Sequence, residues 1–313
     1  MFDSLSKFIL SSLFRWRWVF SIEHAYVGEV CSLYRITQKK ELSPTIHLMV
    51  VEAPDVAAKA KAGQFIILKV DDKGERVPLT IADYDSKAGT ITCIFQEVGY
   101  TTKQLACLQQ GDALSSFVGP LGRPTEIKNY GRVVIIGGGV GIAPAFPIAR
   151  SLKAASNSII SIIGARSKEI LFWEDRLQQY SDRLLVSTDD GSYGHHGFVT
   201  DLLQQVLAQE KIDRVWAIGP TVMMRYVAQI TKTDNIPTIV SMNPIMVDGT
   251  GMCGACRVSV NGETKFACID GPEFDAHSID WDLACSRLNT YKEQEQEALA
   301  RIEEGGRCRC HSN

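Results

Sequence analysis

The spacing of hydrophobic positions changes character twice along the chain. From about Glu23 to Thr125 they fall in short runs, EVCSLYRITQ, TIHLMVVEA, GQFIILKV, GTITCIFQEV and DALSSFVGP, rich in β-branched and aromatic residues. Gly, Pro, Asp or Lys clusters separate the runs, and short strands at such intervals predict an antiparallel barrel. From Arg132 the pattern alternates. RVVIIGGG reads as a buried strand and VGIAPAFPIARSL as a helix, then IISIIGA as a strand and KEILFWEDRLQQY as a helix. DRLLVST, a helix from about Phe198 to Gln209, DRVWAIG, a helix from about Thr221 to Thr231, and TIVSM continue the series. Strands alternating with helices predict a parallel sheet covered on both faces. After Asn243 a compact cysteine-bearing block follows. The polar stretch from Asp280 to Glu304 reads as helical, with Leu283, Leu288 and Leu299 on its buried side.

These changes of texture divide the chain into an extension over 1–22, a barrel over 23–128, an α/β unit over 129–243 and a cysteine block with helix and tail over 244–313. In the extension, LSKFILSSLFRWRWVF is apolar but interrupted by Lys7, Arg15 and Arg17, too broken for the roughly 20 residues of a membrane span. Wound as a helix it gathers Phe2, Leu5, Phe8, Ile9, Leu13, Trp16, Val19 and Phe20 on one face. That face suits docking to a partner subunit. Peripheral association with a membrane surface is the second reading, since Lys and Arg stand beside Trp.

The net charge of −3 and the lack of a long basic run speak against a nucleic-acid partner. Nine cysteines are unevenly spread, and Cys31, Cys93 and Cys107 read as small buried hydrophobes. The expected compartment is the reducing cytoplasm.

Two constellations carry chemistry. In VVIIGGGVGIAP, Gly137, Gly138, Gly139 and Gly141 stand where a helix begins, with Ala143 and Pro144 in its first turn. Glycines there let a phosphate approach the free N–H groups of the helix start. The loop departs from the G-x-G-x-x-G fingerprint, and the next strand ends in GARSK instead of an acidic residue. Further loops at strand C-termini, STDDGSYG with Asp189 and Gly191, and IGPTVMM with Gly219, Pro220 and Met223, complete a candidate nucleotide edge. Arg166 and Lys168 could read a 2′-phosphate, but one arginine discriminates poorly, and NAD(H) is favoured over NADP(H).

The second constellation is MVDGTGMCGACRVSVNGETKFACIDGP. A two-iron cluster takes C-x4-C-x2-C and a distant fourth cysteine. Here the spacing is Asp248-x4-Cys253-x2-Cys256-x11-Cys268, with a carboxylate in the first position. Oxygen can bind ferric iron, so Asp248 is a candidate ligand. Zinc on the three cysteines, and Cys285 as the fourth ligand, are competing readings. The tail RCRCHSN, with Cys308, Cys310 and His311, reads as a solvated tail.

A barrel followed by a nucleotide sheet, with RVPLT in the barrel, resembles the ferredoxin–NADP reductase superfamily. The resemblance implies FAD, with Arg76 as partner of its pyrophosphate. Val77, Pro78, Leu79 and Thr80 would then lie along the isoalloxazine, and FQEVGYTT would supply Gln96, Thr101 and Thr102. From about Tyr26 to Tyr291, with GGGVGIAPAFPIA, MVDGTGMCGACR and KFACIDGPEFDAH, the chain is similar to small subunits of NADH-dependent ferredoxin:NADP+ oxidoreductases.

That family implies hydride exchange between NAD(H) and FAD and single-electron passage through a [2Fe-2S] cluster. The electrons go to a larger glutamate-synthase-like flavoprotein and iron–sulfur subunit, in a complex that bifurcates electrons. The cofactors carry the chemistry, so no side chain is expected to act as a catalytic acid or base. An electron-transfer subunit of the dihydroorotate-dehydrogenase type, or a non-catalytic redox-sensing or assembly subunit, are the alternatives.

Overall fold

The computed structural model describes residues 34–305 except Lys73, with backbone alone for residues 298 and 301–305. The expected helix of the N-terminal extension and the cysteines of the tail lie outside the described residues.

The first layer contains β1 (Tyr34–Ser43), β2 (Ile46–Glu52), the short α1 (Pro54–Ala57), β3 (Phe65–Lys69), β4 (Val77–Asp85) and β5 (Thr90–Gln96). The helix α2 (Tyr100–Cys107), β6 (Ala113–Leu114) and β7 (Ser116–Leu121) complete it. Its strands run antiparallel in the order β6-β1-β2-β5-β4-β3-β7. The two outermost strands are neighbours in sequence, separated by Ser115 alone, so the sheet curls into a nearly closed barrel. Closure protects the edges. Ile36, Met49, Ile66, Leu68, Ile91, Phe95 and Phe117 fill the interior.

The second layer holds β8 (Arg132–Gly138), α3 (Ile142–Ala154), β9 (Ser158–Ala165), α4 (Glu174–Gln178), β10 (Arg183–Thr188) and β11 (His195–His196). It continues with α5 (Val199–Gln209), β12 (Arg214–Ile218), α6 (Thr221–Thr233) and β13 (Thr238–Ser241). The strand order is β11-β10-β9-β8-β12-β13, parallel throughout. Strands after β8 extend the sheet one way through β11, and β12 then returns to its other side. The crevice between β8 and β12 is therefore the topological switch point, where open α/β sheets bind ligands.

The last block forms a hairpin, β14 (Arg257–Val260) with β15 (Glu263–Phe266), then β16 (Glu273–Asp275), α7 (Trp281–Leu288) and α8 (Lys292–Gly305). β16 adds to β13 in antiparallel register, with Ser241 opposite Glu273. Val134, Ile162 and Val215 share one core with Cys256, Val258, Cys268 and Phe274.

Two helical expectations need correction. The stretch KEILFWEDRLQQY holds a 3-10 turn at Lys168–Ile170 and the short α4, broken by Trp173 in the left-handed region at φ 58°. Phe172 is buried and Trp173 packs edge-on against Phe146 at 5.2 Å, two successive aromatics that a single helix face cannot bury together. The C-terminal helix is two helices, interrupted at residues 289–291, and Leu283 and Leu288 are 44% and 38% exposed. Trp281 and Ala284 face the core instead, with Trp281 Nε1 donating to the Ala276 carbonyl at 3.0 Å.

Candidate functional site

At the switch point the two glycine loops touch. A Cβ on Gly138 would come 2.4 Å from Met223 Sδ, and one on Gly141 would come 2.2 Å from the Ile218 carbonyl oxygen. These glycines are required by contact between the loops. Gly139 differs. Its φ is +55°, and among the described residues nothing lies within 4 Å of the point a Cβ would occupy. An open position with left-handed backbone ahead of α3, whose first turn holds Ala143 and Pro144, is a cradle that a phosphate fits.

The loops after β9 and β10 are laced together. Asp189 N–H donates to the Ala165 carbonyl at 3.1 Å and Asp190 N–H to the Arg166 carbonyl at 3.1 Å. Lys168 N–H donates to Ser192 Oγ at 2.9 Å, and Lys168 Nζ lies 4.9 Å from the centre of the Tyr193 ring. Arg166, Asp189 and the left-handed Gly191 therefore stand on one joined and exposed rim. Beside it opens a cleft of about 620 Å³, bordered by Lys168, Trp173 and Tyr193 and, on the barrel, by Gln38, Lys40 and Val50.

In the barrel, β4 belongs to two ladders. Val77 to Thr80 pair with β3 alone, whereas β5 takes over at Ile81, with a register shift between Ile81 and Asp83. The strands β4 and β5 therefore part at the end that carries Pro78, Leu79 and Thr80 on one side and Gln96 on the other. Backbone groups left unladdered beside half-buried side chains make a slot for a planar ring. Next to it Gly99 immediately precedes α2, and its Cβ position is also open among the described residues. Thr101 is buried. The Thr102 hydroxyl caps its own turn, accepting from the Val98 and Gly99 N–H groups at 3.0 Å each and donating to the Gly99 carbonyl at 3.0 Å. Thr102 thus shapes the segment, and Gln96 leans on Thr45 Oγ1 at 3.5 Å.

Arg76, half exposed at the start of this strand, has its Nη1 3.6 Å from Asp248 Oδ1. Asp248 Oδ2 accepts from the Thr250 N–H at 2.9 Å and from the Thr250 hydroxyl. The Thr250 hydroxyl and N–H are the main reason that the Asp248 carboxyl is held below its ordinary pKa. Gly249 has a φ of +83°, and a Cβ there would lie 2.4 Å from Ile67 Cδ1. The cysteine loop thus rests directly on β3, and Ile67 is the register partner of Pro78.

Within that loop, Cys256 and Cys268 are buried free thiols with their sulfurs 3.2 Å apart. Burial, and then contact with Cys256, push the Cys268 thiol up to about 12. Cys253 is exposed, and the N–H groups of Ala255 and Asp248 lower its pKa. Cys285 sits on α7, where its side chain meets Arg225. Among the described residues no three His, Cys, Asp or Glu side chains are gathered around one point. The structure joins Cys256 to Cys268, and sets Cys253 beside Asp248. Three free thiols and a carboxylate on a loop with left-handed Gly249, Gly251 and Gly254 are a donor set that a two-iron cluster fits.

Sequence reasoning missed Glu273. Its carboxylate accepts from the Thr125 hydroxyl at 2.6 Å, and the buried Trp216 Nε1–H faces the same group and favours its charged form. It joins barrel, parallel sheet and cysteine block, yet a single Glu in DGPEFDAH carries no periodic signal.

Comparison with known proteins agrees with this layout. Residues 243–280 match the iron–sulfur cluster binding domain of dihydroorotate dehydrogenase B, and residues 135–229 match the oxidoreductase NAD-binding domain. A dihydroorotate dehydrogenase B electron transfer subunit homolog of Thermotoga maritima is 46% identical over 87% of this chain and 96% of its own. A probable electron transfer subunit of the same enzyme in Methanocaldococcus jannaschii is 36% identical over 77% of this chain and 88% of its own. A chain in the solved structure of NADH-dependent reduced ferredoxin-NADP oxidoreductase, a study of flavin-based electron bifurcation, superposes with a TM-score of 0.82. It is 44% identical and covers 88% of this chain and 99% of that one. The chain belongs to the family of dihydroorotate dehydrogenase B electron transfer subunits and their homologues, within the ferredoxin–NADP reductase superfamily.

Proposed function

We propose that this chain is the electron-transfer subunit of an electron-bifurcating oxidoreductase of the NADH-dependent ferredoxin-NADP type, with sites for FAD, NAD(H) and a [2Fe-2S] cluster. When bound, these groups supply two-electron hydride exchange at the flavin and nicotinamide and one-electron passage at the iron. The residues of this chain bind, orient and shield them.

In this reading Arg76 neutralises the flavin pyrophosphate, and Val77 to Thr80 with Gln96 and Thr101 border the ring, on the barrel over 23–128. Gly138, Gly139 and Gly141 with Ala143 and Pro144 receive the dinucleotide phosphates on the unit over 129–243. Arg166, Asp189 and Gly191 border the adenosine half, and Gly219, Pro220 and Met223 border the nicotinamide half. Asp248, Cys253, Cys256 and Cys268, in the block over 244–313, hold the iron. The partner is a larger glutamate-synthase-like flavoprotein and iron–sulfur subunit, with the extension over 1–22 available to a further subunit or a membrane surface. No helix among the described residues is long and apolar enough to cross a membrane.

The observation that carries this reading is the contact of Gly249 with Ile67, next to Pro78 in the ladder, which brings the cysteine loop against the strand bearing RVPLT. Two redox groups seated there would be near neighbours. Purified chain should hold equal amounts of FAD and two-iron cluster, and NADH should bleach both. A colourless chain, or one with flavin and zinc, would sink the proposal.

A second reading has an observation of its own. The cluster-binding match over residues 243–280 is to the dihydroorotate dehydrogenase B domain, which favours a dihydroorotate-oxidising partner. Identifying the protein that co-purifies with the chain separates the two.

A further inference from the structure

A cavity of about 310 Å³ lies beside the cysteine loop, bordered by Thr221, Asn243, Cys253, Arg257, Arg287 and Tyr291 among others. Of the donor set only Cys253 borders it, and no glycine of the GGGVG loop does, so it lies against the outer side of the donor set and apart from the phosphate cradle. Two guanidinium groups bracket the Gly254–Ala255 peptide. Arg287 Nη2 donates to the Ala255 carbonyl at 3.1 Å, and Arg257 Nη1 lies 3.6 Å from the point a Gly254 Cβ would occupy. Among the described residues neither arginine has an ion-pair partner, whereas nearby Arg225 is paired with Asp282 at 2.9 Å.

The chain has 36 acidic and 33 basic residues, yet among the described residues no carboxylate borders this cavity. Unneutralised guanidinium groups in a recess with low-dielectric walls concentrate anions there. They also offer the planar fork that matches oxyanions. The thirteen-residue α6 adds to the same field, because it begins at Thr221 and its first turn has no side-chain cap.

We propose that this cavity is an oxyanion site, taking a small ligand of the phosphate or carboxylate class between Arg257 and Arg287. A charge bound against Gly254–Ala255 would sit one residue from Cys253 and would perturb whatever that thiol holds.

Inorganic phosphate is the probe, added to the cofactor-loaded chain at constant ionic strength with chloride as balance. Saturating NAD+ keeps phosphate out of the glycine loops. The readout is the visible circular dichroism of the iron–sulfur chromophore, together with the thermal midpoint at which that chromophore is lost. Wild type should give a saturable spectral change and a higher midpoint. Arg257→Gln should weaken the apparent phosphate affinity roughly tenfold or more. Arg257 makes no side-chain hydrogen bond among the described residues, so this variant retains the fold, and Arg257→Glu should abolish the response. Gly139→Val should leave the response in place. No saturable change in wild type, or an unchanged affinity in Arg257→Gln, would overturn the proposal. A chromophore that is lost in Arg257→Gln while wild type ignores phosphate would mark the arginines as supports of the loop only, which also overturns it.

Discussion

Arg76 Nη1 lies 3.6 Å from Asp248 Oδ1, so the cation expected at the flavin and the carboxylate expected at the iron are direct neighbours. The pair is open to solvent, which screens it, so it contributes little to stability. Its significance is positional. A guanidinium has five donors, enough to meet a pyrophosphate while keeping its contact with Asp248.

Arg76→Ala should therefore leave the barrel folded but weaken FAD binding by about 10- to 100-fold, as expected for loss of a charge-assisted contact. Gel filtration followed by flavin fluorescence of the eluate measures this. Full retention of flavin would remove Arg76 from the site.

Asp248→Ala should lose or destabilise the cluster while flavin stays bound. Asp248→Cys should keep a cluster, because it restores the four-cysteine spacing. Its reduction potential should be lower, since a thiolate donates more charge to ferric iron than a carboxylate does. Cys285→Ser serves as the control and should change little, given that Cys285 meets Arg225 on α7. Iron analysis and redox titration read the outcome. Cluster loss in Cys285→Ser with none in Asp248→Ala would assign the fourth ligand to the cysteine.

Gly139→Val places a β-branched side chain at φ +55° in the open cradle. Backbone strain alone is about 1–2 kcal/mol. Flavin reduction by NADH should slow at least tenfold while flavin and cluster contents stay normal, as followed by stopped-flow absorbance. Reduction at the wild-type rate would relocate the pyrophosphate.

Glu273 should make stability pH-dependent. Burial pushes its carboxyl up to about 7 from an ordinary 4.5, and the Thr125 hydroxyl only partly offsets that. The folded state then binds more protons than the unfolded one between these two values. Its contribution is fully present below about 4.5, is lost as pH rises through about 7, and is flat above that. The residue keeps some accessible surface, so the loss is of the order of 1–3 kcal/mol. Thermal melts of Glu273→Gln and wild type should diverge between pH 5 and 8, with the variant the more stable above about 7. Parallel curves would show that this carboxyl does not titrate in that range.

The barrel and the alternating sheet were legible because each strand and helix announces itself within about ten residues. So were the glycine loops and the cysteine spacing, which are local patterns. Other features depend on contacts distant in sequence. Nothing in VPLTIADYD tells that β4 leaves one ladder for another at Ile81, because register is set by the partner strands. β16 reads as part of the cysteine block, but β13 offers it an edge, so Glu273 comes to lie under Thr125 and Trp216. The left-handed Trp173 was equally hidden, since tertiary burial of two adjacent aromatics overrode a good helical pattern. Leu283 and Leu288 both lie within α7, but packing partners distant in sequence turn Trp281 and Ala284 to the core instead.

In the proposed function one electron path, from NAD(H) through flavin to iron, runs within this single chain. An anaerobic titration of the purified chain with NADH, followed by visible absorbance and low-temperature electron paramagnetic resonance, tests it most directly. The account predicts that the flavin bands bleach and that a two-iron signal integrating to about one spin per chain appears in the same titration. Asp248→Cys should alter that signal. Flavin bleaching with no iron signal, or an iron signal that NADH leaves unreduced while dithionite reduces it, would contradict the account.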